Sequence, residues 1–306
     1  MAADPHFDNV TLLLRMDGGA GSKVFTDASP TPKSQTVSPS GAALSTARSK
    51  FGSASALFDG GYIWFGSAGG TALLPGAQDF CIEAWCYDVG GGNRRVLFGN
   101  AASGGTGGTL TCLLRVDGTI SVTVVVGGTS HNMSPATTTP LNTWYHFALT
   151  RSGATLRLFI DGVQIGSVTG VTGAVSAGGG QFALGSLGNY LGYSGEYGVQ
   201  WMGNVDDFRY TIGAARYAAN FTPPAESFPG AGNLSGVVTD ASSAPVARLV
   251  RLMREDSGAC VAEATSSAST GEYSFSAAYS GPHTLTAYPA VGESLPALTL
   301  RGVMPA

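Results

Sequence analysis

Asn142-Thr143-Trp144-Tyr145-His146-Phe147-Ala148-Leu149-Thr150-Arg151, followed by Leu156 to Val168 around Asp161-Gly162, is the stretch whose reading decides the fold class. Leu156, Leu158 and Ile160 take one face and Arg157 and Phe159 the other, which is the period-two alternation of a strand. Asp161-Gly162 supplies the positive-φ positions of a tight hairpin turn, and Val163 to Val168 returns as the partner strand. Asp117-Gly118 gives a second such signal. Short runs of this kind recur at intervals of roughly 8 to 12 residues, separated by Gly, Asp, Ser and Pro. No segment carries an apolar helical period over three turns with caps, and the best helical candidate, Gly213 to Phe221, is short enough to be one turn or a loop. The expectation is an all-β chain.

Composition agrees. Of 306 residues 45 are Gly, about twice the usual share, which excludes a helical bundle. Charged residues are 12% and hydrophobic ones 43%, so the chain can bury a sizeable core. A net charge of −4 without a basic block gives nucleic acid no electrostatic footing. No stretch approaches the ~20 apolar residues of a membrane span, and Met1 to Asp8 does not read as a secretion signal, so no anchor is expected. Cys81, Cys86, Cys112 and Cys260 form no CxxC pair; all four are expected as reduced thiols, Cys81 and Cys86 on opposite faces of one strand. Prolines and glycines replace the strand pattern from Phe221 to Asn233, which divides the chain into a domain over 1–228, a linker over 229–234 and a small domain over 235–306. In the latter, Arg248, Arg251 and Arg254 read as solvated side chains on a bulged strand.

Five ordered blocks carry a family resemblance: Val10 to Gly18, Lys50 to Gly60, Asp79 to Trp85, Asn142 to Arg151 with its hairpin, and Gly203 to Tyr210 with Ala215-Arg216-Tyr217 and Asn220 to Pro224. Through them the first domain resembles the laminin-G-like branch of the concanavalin-A-like lectin/glucanase superfamily, in the form common in bacteriophage virion and tail-fibre proteins. The resemblance implies an antiparallel jelly-roll β-sandwich. Gly236 to Asp240, Pro245 to Leu252 and Thr270 to Phe275 make the tail similar to small carboxypeptidase-regulatory-like (transthyretin-like) sandwiches, which act as spacers or contact surfaces.

Glucanases on this fold need two carboxylates on alternate positions of one strand. Glu83 sits in such a strand, but its neighbours at that spacing are Cys81 and Trp85, and no nucleophile elbow, zinc-protease motif or phosphate loop occurs elsewhere. The chain is therefore expected not to be an enzyme. His146, in its aromatic strand, reads as a packed residue, and Trp85 and Trp144 read as structural. Tyr62 and Trp64 share one strand face opposite Ile63 and Phe65, so one of these pairs needs cover beyond the core, assigned here to a neighbouring chain.

Sugar recognition needs an aromatic face beside planar polar groups. Asn189 to Trp201 supplies both, with Tyr190, Tyr193, Glu196, Tyr197 and Trp201 as candidate ligand-binding residues; packing beneath a loop or a subunit contact is the alternative role for these tyrosines. The resemblance implies no required cofactor and one candidate metal, a structural Ca²⁺ on Asp206 or Asp207 joined by Asp17 or Asp27. The functional expectation is a virion protein, tail- or fibre-associated, that adheres to host-surface glycan. It would assemble with other virion proteins in the bacterial cytoplasm as a homo-oligomer, a trimer by analogy with fibres. A capsid decoration or head fibre is the alternative, and a glycan hydrolase the third reading.

Overall fold

The computed structural model describes residues 4–66, 70–91, 94–100, 108–177, 181–187, 200–230, 232–277, 282–293 and 296–303. It divides into two compact units, Asn9–Phe228 and a second comprising Met1–Asp8 with Pro229–Ala306. No helix of the described residues is long and apolar enough to cross a membrane.

The strands of the larger unit are β1 (Val10–Leu14), β2 (Thr36–Val37), β3 (Ala42–Ser45), β4 (Ser55–Asp59), β5 (Ile63–Phe65), β6 (Phe80–Asp88), β7 (Arg95–Gly99), β8 (Leu110–Leu114), β9 (Ile120–Val126), β10 (Thr129–Met133), β11 (Trp144–Ser152), β12 (Thr155–Ile160), β13 (Val163–Thr169), β14 (Phe182–Leu184) and β15 (Met202–Ile212). They form two antiparallel sheets. One runs β13-β12-β11-β6-β15-β4-β3 with β1 also on β15; the other runs β10-β9-β8-β7-β14-β5-β2. The expected all-β sandwich is what the chain adopts.

Alternation builds the core between the sheets. Ile82, Ala84 and Cys86 of β6, Leu156, Leu158 and Ile160 of β12, and Ile120, Val122, Val124 and Val126 of β9 all face inward. Ile63 and Phe65 are in this core; Tyr62 is also buried, and Trp64 is half-buried on the opposite side of β5 from Ile63. The four cysteines are free thiols, with Cys86 and Cys112 in the core.

Asp161 (φ 48°) and Gly162 (φ 76°) turn β12 into β13, pairing Ile160 with Val163 as the sequence requires. Segment 213–228, the helical candidate at its start, is instead an irregular strap across the outer face of the eight-stranded sheet. Its Phe221 N–H donates to the Gly162 carbonyl at 3.0 Å, and a Cβ at Gly162 would lie 1.9 Å from the Phe221 oxygen. Glycine is required there twice, by the turn and by the strap.

The second unit holds β16 (Gly232–Val237), β17 (Leu249–Arg254), β18 (Cys260–Thr265), β19 (Glu272–Ala277), β20 (His283–Ala287) and β21 (Leu298–Val303). β16 pairs with β19, and the other four form a sheet ordered β18-β17-β20-β21. Leu234, Val250, Leu252, Phe275 and Leu285 are its core. β16 begins inside the stretch expected as linker, because Leu234 is an inward core residue. The bulge in β17 falls between Leu252 and Met253; its arginines are paired as well as solvated, Arg251 with Glu263 at 2.6 Å and Arg248 with Glu293 at 2.7 Å.

Candidate functional site: the outer face of the eight-stranded sheet

Because Ile82, Ala84 and Cys86 point inward, Cys81, Glu83, Trp85 and Tyr87 emerge on the outer face. Glu83 stands beside Ala148 of β11 and Arg209 of β15. Its Oε1 accepts from Arg209 Nε at 2.9 Å and Nη2 at 2.8 Å, with Arg216 Nε at 3.6 Å. Its Oε2 accepts from Tyr217 Oη at 2.8 Å and lies 3.3 Å from His146 Nε2. Tyr217 is stacked on Phe221 with centroids 3.5 Å apart, and Phe221 and Phe228 pack edge-on against His146. The strap thus seals the glutamate, which is fully buried.

Burial alone would raise the Glu83 pKa. The Arg209 guanidinium, aided by His146 and Arg216, more than offsets it and holds the carboxyl well below the usual carboxylate range. Burial also pushes the neighbouring Cys81 thiol up to about 12, so this sulfur is no nucleophile. A glutamate held ionised at neutral pH has no proton to donate, and among the described residues no second carboxylate stands beside it. Its chemistry is that of an anchor joining β6, β11, β15 and the strap.

Asp206 and Asp207 lie where β15 leaves β4, to which Met202 to Val205 pair, and takes up β1, to which Phe208 to Thr211 pair. The register against β6 slips there, and Asp207 has φ 45°, a left-handed value that Asp tolerates better than most residues. Asp206 Oδ2 accepts from the N–H groups of Lys50 (2.7 Å) and Phe51 (3.1 Å), and its Oδ1 from Asp207 N–H at 2.9 Å. Asp207 accepts from Ser227 Oγ at 2.9 Å and Phe228 N–H at 2.7 Å. Burial pushes Asp206 up to about 7 and Asp207 up to about 6, against the pull of these bonds.

The expected Ca²⁺ site does not fit these residues. Both carboxylates spend their oxygens on protein donors, Asp17 accepts from Ser53, and Asp27 accepts from Leu13, Ser29 and Lys33. Among the described residues no three His, Cys, Asp or Glu side chains converge as metal ligands. The aspartates pin the 46–53 loop and the strap instead.

Of the expected sugar-binding residues, Tyr190, Tyr193, Glu196 and Tyr197 lie outside the described residues. Trp201 is corrected: it is fully buried in the sandwich core, its backbone N–H bonded to the Gly185 carbonyl, and presents no face to a ligand. Sequence reasoning missed Arg216, Tyr217 and Phe221 as partners of the Glu83 strand. Their cluster was visible only as part of the closing family block.

A model of the concanavalin A-like lectin/glucanases superfamily, of laminin G type, matches residues 59–213. Domain 4 of AbnA, an extracellular GH43 arabinanase of Geobacillus stearothermophilus solved with arabinotriose, is 18% identical with a TM-score of 0.49, over 68% of this chain and 94% of that one. A carbohydrate-binding protein of Bacteroides ovatus, described as putative, is 18% identical with a TM-score of 0.36, over 46% of this chain and 39% of that one. The heptameric SAP-like pentraxin of Limulus polyphemus is 18% identical with a TM-score of 0.33, over 45% of this chain and 65% of that one, so the match spans less than two thirds of the pentraxin. No curated protein sequence matches the chain. With just over half its length matched by the family's model, the chain belongs to the concanavalin A-like lectin/glucanases superfamily.

Proposed function

We propose that this chain is a non-enzymatic bacteriophage virion protein, tail- or fibre-associated, whose lectin-type domain engages host-surface glycan. The observation that carries the non-enzymatic part is the state of Glu83: buried, ionised, held by Arg209 and covered by the strap. The superfamily contains lectins and glucanases alike, so the chemistry of this strand is what favours recognition over cleavage. The virion assignment rests on the closing block Gly203 to Tyr210 with Ala215-Arg216-Tyr217 and Asn220 to Pro224, which resembles the exit of phage tail and fibre modules. In this reading the tail domain, similar to carboxypeptidase-regulatory-like sandwiches, is a spacer, and the protein assembles as a trimer with other virion proteins.

Immunogold electron microscopy of intact particles, with antibody against this chain, tests the assignment. Label at the tail tip or fibres is the expected result. Label over the capsid shell would favour decoration, and absence from particles would overturn the virion reading.

A further inference from the structure

The outer face of the eight-stranded sheet is covered unevenly. The strap lies over Glu83 and Phe159, and the 46–53 loop lies over Trp85, with Lys50 Nζ 3.8 Å from its ring centroid and Phe51 edge-on at 5.8 Å. The next row, Ala43, Leu57, Asn204, Tyr87 and Trp144, is left open at its ends. Tyr87 and Trp144 are half-buried and meet edge-to-face at 5.5 Å. Leu57 is 37% exposed, and Val89 and Leu141 at the same end of β6 are 39% and 51% exposed. These are three of the six large apolar side chains exposed among the described residues of the larger unit, and Val89 and Leu141 share the corner of Tyr87 and Trp144.

The corner is also cationic. The exposed Arg48 guanidinium lies 4.8 Å from the Tyr87 centroid and has no carboxylate partner among the described residues. One row further on, Asp59 is exposed on the same face, and Asp206 accepts from the Lys50 N–H. In the middle of the row, Asn204 donates through Nδ2 to Ser55 Oγ while its buried Oδ1 has no donor.

We propose that this corner binds an acidic glycan, a sugar chain bearing carboxylate or sulfate, with a ring C–H face against Trp144 and the anionic group on Arg48. The proposal rests on the glycan-binding reading above and names a ligand class and a surface for it. Aromatic faces accept the apolar side of a sugar ring. A guanidinium accepts a planar anion through paired N–H donors, and stacking on Tyr87 holds its fork in place. The open end at Tyr87 and Trp144 is parted from Leu57 by the buried Asn204, so the surface on offer is that corner alone, a few side chains across. A patch of that size suits one or two sugar rings and falls far short of the ~800 Å² per partner of a stable protein interface.

Calorimetric titration of the full chain with oligogalacturonate and, separately, with neutral maltoheptaose tests this, in 0.1 and 0.5 M salt. The expected result is saturable binding of the uronate oligomer, weakened at least tenfold by Arg48→Gln and by high salt, with Trp144→Phe weakening it less than Trp144→Ala. Tryptophan-monitored unfolding checks that each variant folds; Arg48→Gln, a surface change, carries the test if Trp144→Ala does not. Equal binding of the two oligomers, unaffected by Arg48→Gln, would overturn the acidic class and leave glycan binding standing. Binding lost in Tyr193→Ala but unchanged in Arg48→Gln and Trp144→Phe would overturn this site alone. No binding of oligogalacturonate, hyaluronan, heparin fragments or sialyllactose would overturn the proposal. So would self-association, measured by sedimentation equilibrium, that Trp144→Ala abolishes without any effect of these glycans, since the corner would then be a contact between copies of this chain.

Discussion

Glu83→Gln separates an anchor from a catalyst. In the folded protein the carboxylate is fully buried, accepts two bonds from Arg209 at 2.8 to 2.9 Å and one from Tyr217 at 2.8 Å, and faces His146. Glutamine keeps the shape and one acceptor oxygen but removes the negative charge that Arg209 and Arg216 face in the buried cluster. Breaking a buried pair from one side costs about 3 to 5 kcal/mol, and the retained amide acceptor puts this variant near 3. All four tryptophans, Trp64, Trp85, Trp144 and Trp201, lie in the larger unit, so urea unfolding followed by their fluorescence reports that unit alone. The pH dependence adds a second signature. A carboxyl whose folded pKa is depressed contributes stability above its unfolded value of 4.5 and loses it as pH falls below that. The wild type should therefore weaken below pH 4.5, and Glu83→Gln should lose most of that acid dependence. A variant with unchanged stability that abolished release of reducing ends from a host polysaccharide would refute the reasoning.

Asp206 and Asp207 have the opposite sign: with folded pKa values raised to about 7 and about 6, their contribution is complete below pH 4 and is lost as pH rises through 6 to 7. The larger unit should lose on the order of 2 to 4 kcal/mol between pH 5 and pH 8, measured by the same fluorescence unfolding. Gly162→Ala, with φ 76° and the Phe221 oxygen in the way, should destabilise by about 2 to 3 kcal/mol and increase protease cleavage within 213–228. Tyr217→Phe should cost about 1 to 2 kcal/mol, because one lone pair of the buried Glu83 loses its donor. Trp201→Ala should cost about 3 to 5 kcal/mol in unfolding experiments, while Trp201→Phe leaves glycan affinity within twofold, as expected of a core residue.

The hairpin at Asp161-Gly162 and the alternation of Leu156, Leu158 and Ile160 were legible because turn chemistry and side-chain period are local properties. The two consecutive aspartates of Val205-Asp206-Asp207-Phe208 sit at the bulge of β15, and without their partners in view the family resemblance made them a cation site. The donors that occupy those carboxylates come from Lys50 and Phe51, more than 150 residues away, and no local pattern announces them. The same holds for Glu83, whose partners Arg209 and Tyr217 lie 126 and 134 positions further on. Trp201 shows another limit. A tryptophan after a Tyr- and Gly-rich segment has the composition of a stacking platform, yet one residue before β15 it turns into the core, and residue type alone does not distinguish the two. Trp144, expected as structural, packs edge-to-face on Tyr87 and is half-buried on the sheet's outer face.

The central claim, recognition without cleavage, is tested most directly by one incubation read two ways. The full chain is mixed with purified envelope polysaccharide of the host, and bound polysaccharide and new reducing ends are measured over the same time course. The account predicts saturable binding with no reducing ends above the protein-free control. Reducing ends that rise with time and vanish in Glu83→Gln would contradict it.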